Sequence, residues 1–160
     1  MAQLFQRITH GVYVIGVADA MSANAFTAAW VMQTSFDPPM LAVAVHPRHR
    51  SYRMLCAGGR YSVNVLEKGR LDLAAHFARS ADANKLAGVG WKPGAGGVPL
   101  LEDAIAWFEC KVIGQMAAGD HELVLGRVVD GRLQRPEAEP LRYIDTGDLD
   151  GAAALYPDAF

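Results

Sequence analysis

The chain has 160 residues, of which 51% are hydrophobic, and its 15 basic and 17 acidic side chains leave a formal net charge of −2. A chain of this length and apolar content is expected to fold as one domain, residues 1–160, which argues against intrinsic disorder. The balanced charge argues against a nucleic-acid binder that relies on excess positive charge. The length leaves too little chain for a separate Rossmann domain.

The hydropathy and cysteine patterns indicate a cytoplasmic protein that does not enter a membrane. No stretch reaches about 18 consecutive apolar residues, as a membrane-spanning helix requires. The first residues lack the apolar core of a secretory signal. Cys56 and Cys110 lie far apart among apolar residues. We therefore expect two buried, small hydrophobic side chains rather than a disulfide or a metal motif.

In chain order, the hydrophobic pattern predicts about six strands and few helices. The predicted elements are a helix at 2–10, a strand at 12–17, an irregular segment at 22–36, a strand at 40–45 that is buried on both faces, a helix at 51–56 with Ser51 as its N-cap and Gly58-Gly59 at its end, a strand at 61–66, a helix at 71–81, a loop at 88–99, and strands at 104–116 and 121–133. The lack of regular strand–helix alternation favours a small closed β-barrel over a doubly wound sheet.

Small and polar residues crowd together at 22–36, where a strand should alternate. Ser22, Asn24 and Thr27 supply hydroxyl and amide groups, while Ala25 and Ala28 leave little bulk beside the backbone. A flat heteroaromatic ligand needs a surface of this kind. Tight packing against a neighbouring strand is the alternative, and residue chemistry alone leaves it open.

Two basic segments flank this stretch. One is the loop 46–50, which runs into Ser51 at a predicted helix start, where an anion would meet free N–H groups. The other combines His76, Arg79 and Lys85. Each alone is typical of a solvated surface, but together they suggest a nucleotide phosphate. His46 and His49 have no acidic or cysteine neighbours, so we expect a solvated basic loop there and no metal site.

Two turns have both a functional and a structural interpretation. Gly119-Asp120-His121 joins the two long strands, and is either a plain hairpin turn or a titratable ring at the mouth of a cleft. The Gly-rich stretch at 94–97 lacks the residues of a P-loop and the Rossmann spacing, so we expect a flexible surface loop. No GxSxG motif supports hydrolase chemistry.

Five segments, in order, resemble the flavin reductase-like family of FMN-binding split-barrel proteins over residues 8–147. They are THGVYVIGV, SANAFTAAWVMQTSFDPPMLAVAV with its Ser-x-Asp-Pro-Pro step, RSYRMLCAGGRYSVNVL, LAAHFAR followed by NKLAG, and GDHELVLGRVVDG. The resemblance implies a mainly β fold, a six-stranded Greek-key split β-barrel with a few helices. It also implies a homodimer with FMN or FAD near the interface.

The resemblance further implies a set of flavin-binding residues. They are Asn24, Ala25, Phe26, Thr27 and Ala28 along the ring and ribityl chain, Arg50 and Ser51 near the phosphate, and His76, Phe77, Arg79 and Lys85 around the rest of the pocket. His121 would stand where NADH or NADPH is received. The sequence departs from the family at Ala25, where many members have glycine, and in its tail, 150–160.

The implied activity is hydride transfer from NADH or NADPH to N5 of the flavin, with reduced flavin passed to a monooxygenase partner or to ferric chelates. Two other functions stay open. One is an electron-transfer flavoprotein that holds FMN, like the family's flavoredoxins. The other is a non-enzymatic split barrel that binds another ligand, such as haem or a nucleotide. The choices between FMN and FAD, and between NADH and NADPH, also stay open.

Overall fold

The computed structural model describes residues 1–79 and 84–157, which fold mainly into β-structure. Their helices and strands are α1 (Ala2–Phe5), β1 (Tyr13–Ala18), β2 (Ala23–Ala28), β3 (Val31–Ser35), β4 (Met40–Val45), α2 (Arg50–Gly58), β5 (Arg60–Val65), α3 (Leu71–Ala78), β6 (Trp91–Pro93), β7 (Pro99–Leu101), β8 (Ala106–Ala118) and β9 (His121–Leu133). Short 3₁₀ turns follow at Ala95–Gly97, Tyr143–Thr146 and Ala152–Leu155. The prediction of a mainly β chain with few helices is confirmed.

One antiparallel sheet of seven strands organises the described residues, in the order β2-β1-β5-β8-β9-β4-β3. The six strands of the sequence-based prediction are therefore one too few for this sheet. Segment 22–36, which lacks clean alternation, supplies both of its edge strands, β2 and β3. The central strands β8 and β9 pair along their whole length, with register shifts after Glu109 and Val112.

The sheet is covered on both faces where β1, β2 and β5 meet. Val14 of β1 joins a cluster with Phe77 of α3, while the adjacent Ile15 joins a second cluster with Leu55 of α2. Successive strand residues point to opposite faces, so each face receives its own core. The helices α2 and α3 are therefore held against the sheet by separate apolar contacts.

The polar residues of β5 do not form a solvent face. Ser62 and Asn64 are fully buried. Asn64 Nδ2 donates to the Val14 carbonyl oxygen at 3.0 Å, and Asn64 Oδ1 accepts from Leu101 N at 2.8 Å. Ser62 Oγ donates to the Pro99 carbonyl oxygen. These bonds dock the β6–β7 hairpin on the sheet and satisfy polar groups that would be costly to bury alone.

Two predicted helices differ from those in the structure. The helix predicted at 2–10 ends at Phe5, and the apolar residues expected on its face are exposed, Leu4 by 62% and Ile8 by 52%. A helix this short has little stability without a buried face. The helix predicted at 71–81 is observed as Leu71–Ala78, and residues 80–83 lie outside the described residues, as do residues 158–160 of the tail.

The start of α2 corrects another prediction. Its N-cap is His49 rather than Ser51, because His49 Nδ1 accepts from the Ser51 backbone N–H at 3.3 Å. Ser51 lies in the first turn and is fully buried. The predicted end is confirmed, since Gly59 adopts the left-handed conformation (φ 63°) that closes a helix.

The glycine-rich stretch at 94–97 is a hairpin turn between β6 and β7, and Ala95 and Gly96 are exposed, as predicted for a surface loop. Trp91–Pro93 pairs with Pro99–Leu101, and the buried carboxylate of Glu109 accepts from the Ala95 N–H at 2.9 Å. The cysteine prediction is confirmed for Cys110, which is buried, and is wrong for Cys56, which is exposed on α2. No helix among the described residues is long and apolar enough to cross a membrane.

Candidate functional site

A concave pocket of about 450 Å³ lies where β2 and β4 end and β9 begins. Its walls come from six parts of the chain. They are Phe26–Trp30 at the end of β2, Ala44–His46 at the end of β4, His49 before α2, His121 at the start of β9, and segments within 2–10 and 143–156. The volume is within the range of small-molecule sites, and apolar and aromatic side chains form most of the wall.

The floor of the pocket is built by the end of β2. Phe26 is almost fully buried, and its ring lies 4.9 Å from the His49 ring. Ala28 and Ala29 place only methyl groups along the next part of the wall. A flat ligand can therefore approach the β2 backbone closely at this end of the strand.

The polar side chains of β2 fix the two helices beside the pocket. Asn24 Nδ2 donates to Ser51 Oγ of α2 at 3.2 Å, and Thr27 Oγ1 donates to the Ala74 carbonyl oxygen of α3 at 2.7 Å. These two bonds connect the ligand-facing strand to both helices. Because strand and helices are connected in this way, the end of β2 has a defined position relative to α2 and α3.

Aromatic rings cluster at the mouth of the pocket. The pairing of β4 with β9 brings His46 next to His121, with their ring centroids 5.4 Å apart in an edge-on arrangement. The Trp30 ring also contacts His121, with their ring centroids 4.7 Å apart. His121 therefore contacts two aromatic rings.

Asp120 fixes the orientation of the His121 ring. Asp120 Oδ1 accepts from His121 Nδ1–H at 2.7 Å, which leaves Nε2 as the ring nitrogen free to meet a ligand. The hydrogen bond and the charge of His121 hold the pKa of Asp120 below its usual range. Asp120 is therefore an anion that orients the ring from the solvent side.

His49 is held in its neutral form. Burial is the main cause that lowers its pKa, and the positive charges of Lys85 and His46 lower the pKa further. In the neutral ring Nδ1 has a free lone pair, which caps α2 through the Ser51 N–H.

The second basic group is an internally bonded cluster. His76 Nε2 donates to the Lys85 carbonyl oxygen at 2.7 Å, while His76 Nδ1 accepts from Arg79 Nη2 at 2.6 Å. Lys85 is buried, and its Nζ donates to the Phe77 carbonyl oxygen at 3.0 Å. Burial, and then the charge of Arg79, lower the pKa of Lys85. The cluster thus holds the end of α3.

The structure divides the predicted site residues into two groups. Phe26, Thr27, Ala28 and His121 line the pocket. The others lie away from its wall: Asn24, Ala25, Arg50, Ser51, His76, Phe77, Arg79 and Lys85. Ala25 and Phe77 are fully buried in the α3-side core, Arg50 is exposed, and the remaining five make the hydrogen bonds described above.

Sequence reasoning missed several wall residues. His46 and His49, predicted to be a solvated loop, are half-buried and line the pocket, so that prediction is wrong. The β4–β9 register and the α2 cap turn them inward. Trp30, Tyr143 and Tyr156 also line the pocket. The position of His49 just before a predicted helix could have pointed to it, whereas the segment that carries both tyrosines shows no periodic pattern.

Comparisons with known proteins identify the class of protein. The family model described as "Flavin reductase like domain" matches residues 5–151. The chain is 39% identical over 120 residues to "Flavin reductase (NADH)" of Kitasatospora aureofaciens, covering 73% of this chain and 62% of that protein. It is 35% identical over 134 residues to "Diflavin flavoprotein A 1" of Synechocystis sp., covering 82% of this chain and 23% of that protein.

A solved structure shows the same fold. The NADH:FAD oxidoreductase SgcE6 of Streptomyces globisporus superimposes with a TM-score of 0.82 at 28% identity, over 88% of this chain and 85% of that one. The chain belongs to the flavin reductase-like domain family, which confirms the resemblance found in the sequence. The chain spans less than two thirds of the length of the two curated relatives.

Proposed function

We propose that this protein is an NAD(P)H-dependent flavin reductase that binds FMN or FAD in the pocket at the end of β2. One observation carries the proposal. His121, oriented by Asp120 and flanked by Trp30, stands at the mouth of a pocket whose floor is the small-residue end of β2. This arrangement offers a flat surface for the flavin ring and a polar side chain for the nicotinamide nucleotide.

The side chains that line the pocket are chemically suited to binding a flavin. The buried Phe26 ring and the small side chains of Thr27, Ala28 and Ala29 offer a flat surface of the kind that a three-ring heteroaromatic system requires. The rim carries the imidazoles of His46, His49 and His121, which can hydrogen-bond to carbonyl and ring-nitrogen edges. Such a combination of an apolar wall with a few convergent polar groups is typical of cofactor sites.

The chain would bind the flavin and the nucleotide and orient them. The bound flavin would supply a ring whose N5 atom accepts hydride from NADH or NADPH. Phe26, Thr27 and Ala28 would hold the ring against the β2 backbone. Asn24, Ser51, His76 and Lys85 would act indirectly by fixing α2 and α3 around that strand. No general base is required for this reaction.

The remaining residues of the implied flavin set keep their roles as part of this proposal. Arg50 is exposed at the first position of α2, where it would bring positive charge to the predicted phosphate, and Ser51 follows it in the first turn. Ala25 and Phe77 support the pocket from within the core. His121 would receive the nicotinamide nucleotide through its free Nε2.

The relatives support this proposal through their names. The Kitasatospora protein is called a flavin reductase that uses NADH, and the Streptomyces structure is called an NADH:FAD oxidoreductase. We propose the same pair of ligands here. We also propose that residues 1–160 form one split-barrel domain in the cytoplasm, and that its reduced flavin serves a monooxygenase partner or ferric chelates.

We further propose a homodimer. The sheet ends at β3, whose Met32 is 56% exposed, and the following Phe36 is 90% exposed. An edge strand with exposed apolar side chains is a surface that another chain can cover. Sedimentation at equilibrium should therefore give about twice the mass of the 17.2 kDa chain.

Steady-state oxidation of NADH and NADPH in the presence of FMN, FAD or riboflavin tests the central proposal. We expect turnover that requires both a nicotinamide nucleotide and a flavin. The absence of turnover with every combination would contradict the proposal. The same assay identifies the preferred flavin and the preferred nucleotide from the ratio of kcat to KM.

An electron-transfer flavoprotein is the second candidate, because the chain also resembles a diflavin flavoprotein. In that case the pocket would hold FMN tightly and take its electrons from a protein. Retention of FMN through gel filtration, together with slow oxidation of NADH, would favour this function. Release of FMN on the column, with fast NADH oxidation, would favour the reductase.

A further inference from the structure

Two segments from opposite ends of the sequence form one wall of the pocket. One is α1 with the turn after it, which contributes Phe5 and Ile8. The other is the 3₁₀ turn Ala152–Leu155 and the following Tyr156. Leu155 and Tyr156 lie beyond the range 5–151 that the family model matches, and Phe5 is its first residue.

Backbone pairing places the two segments opposite each other. Val12 N donates to the Leu141 carbonyl oxygen at 2.9 Å, and Tyr143 N donates to the His10 carbonyl oxygen at 2.8 Å. Gly11 and Arg142 form a β-bridge between these bonds. The two chain segments therefore leave the sheet side by side and reach the pocket together.

Asp150 holds the second segment in place. Its carboxylate accepts from the Tyr143 hydroxyl at 3.0 Å and from the Ala152 N–H at 3.1 Å. Burial, and then the hydrogen bond to Asp150, raise the pKa of Tyr143 to about 12. The hydroxyl therefore stays protonated as a donor at neutral pH, and the turn at 152–155 is tied to the pocket wall.

An aromatic stack closes the wall. The rings of Phe5 and Tyr156 lie 5.1 Å apart, with 18° between their planes. Phe5, Ile8 and Leu155 line the pocket, yet they are exposed by 40%, 52% and 82%. Apolar side chains that face a concave site in this way are typical of surface that covers a ligand.

We propose that the Phe5–Tyr156 stack is a flavin-retention determinant, a pair of side chains that sets how fast the flavin leaves the pocket. The proposal rests on the proposed function, because it takes the flavin as the ligand. With the stack formed, the two segments stay together as one wall of the pocket. Without it, each segment loses its partner and the wall opens.

Stopped-flow measurement of FMN dissociation tests this proposal, using the fluorescence of oxidised FMN and no nicotinamide nucleotide. We expect Phe5→Ala and Tyr156→Ala each to raise the dissociation rate constant about threefold to tenfold, the range that the coupling of an aromatic pair supports. The double variant should add little to either single change, because both remove one interaction. Tyr156→Phe should retain the slow rate, because it keeps the ring.

Leu4→Ala is the matched control. Leu4 lies beside Phe5 in α1, is 62% exposed, and does not line the pocket, so its variant should match the unmodified protein. Phe5→Leu provides a second variant that keeps an apolar side chain but loses the stack. Neither Phe5 nor Tyr156 belongs to a core cluster, so we expect all variants to fold.

Each outcome has a distinct meaning. Faster dissociation in the alanine variants but not in Leu4→Ala supports the proposal. If FMN binds and every variant releases it at the rate of the unmodified protein, the retention role is contradicted and the proposed function is not. If the unmodified protein binds no FMN, the proposed function is contradicted, and the retention role with it.

Discussion

At the scale of single residues, the Asp120–His121 pair connects a hairpin turn to the proposed nucleotide site. The carboxylate is exposed and bonded to Nδ1 of the ring, while the ring itself contacts Trp30 and His46. A histidine held in this way presents one defined nitrogen to a ligand. Asp120 is therefore a positioning residue in the proposed function, and His121 is the group that meets the nucleotide.

Replacing either residue should weaken binding of the nicotinamide nucleotide and spare the flavin. We expect His121→Ala to raise the apparent KM for NADH about tenfold, and Asp120→Asn to raise it less, because the ring remains but is no longer held by a charge-assisted hydrogen bond. The Kd for FMN, measured by fluorescence titration, should stay unchanged in both variants.

Asp130→Asn is the control for this comparison. Asp130 lies in β9 as well, and the bond the structure records for it is to its neighbour, the Gly131 N–H at 2.8 Å. Its variant should have the KM of the unmodified protein. An unchanged KM in His121→Ala would remove this residue from the nucleotide site.

At the scale of elements, the start of α2 couples stability to pH. His49 caps the helix only with Nδ1 unprotonated, and its pKa in the folded protein lies below the usual value of about 6.5. Because the folded pKa is lowered, the contribution of the His49 cap to the free energy of unfolding is complete above about pH 6.5. This contribution is lost as the pH falls toward the folded pKa. Acidification should therefore release the cap.

The variant His49→Asn should reduce this pH dependence. Asparagine is a good N-cap that does not titrate, so the variant should lose less unfolding free energy than the unmodified protein between about pH 7.5 and about pH 5.5. Urea unfolding at both pH values measures the difference. Arg48→Asn changes the same loop and leaves His49 in place, so it should keep the full dependence. Equal losses in all three proteins would contradict the capping role.

Packing between β1 and the β6–β7 hairpin gives a second prediction for the elements. A methyl group at Gly16 would collide with Ser62 Oγ and with the Pro99 carbonyl oxygen, whereas one at Gly114 of β8 would meet open space. We expect Gly16→Ala to lower the free energy of unfolding by about 1 to 3 kcal/mol, the usual cost of overpacking. Gly114→Ala should change it by less than about 0.5 kcal/mol. Similar effects in both variants would show that the hairpin is not docked this closely.

The elements also show how far the sequence alone could predict the structure. Strands β1, β4, β8 and β9 lie close to where the hydrophobic pattern places them, because runs of apolar residues mark them in the sequence. The strands within 22–36 and the β6–β7 pair have no such signal. The position of the β6–β7 pair depends on contacts with distant residues, such as Asn64 and Glu109.

The candidate site was predictable only in part for the same reason. Thr27 and His121 stand out by residue type, and the family resemblance assigns both a role. His49, by contrast, enters the wall through a helix cap, and Tyr156 enters it through the pairing of residues 10–12 with 141–143. Such positions follow from tertiary structure and not from local pattern.

At the scale of the whole molecule, the pocket is the place where the separate parts of the chain converge. The end of β2, the β4–β9 pair, the start of α2 and both outer segments each contribute a wall. The core clusters on the two faces of the sheet hold these parts in position. We propose that this one pocket binds a flavin and lets a nicotinamide nucleotide reduce it.

The most direct test is the visible spectrum of the purified protein under argon, recorded after addition of FMN and again after addition of NADH. We predict that the flavin band at about 450 nm is perturbed on binding, and that it bleaches within seconds once NADH is present. A spectrum of FMN that the protein leaves unchanged, or bound FMN that neither NADH nor NADPH bleaches, would contradict the claim.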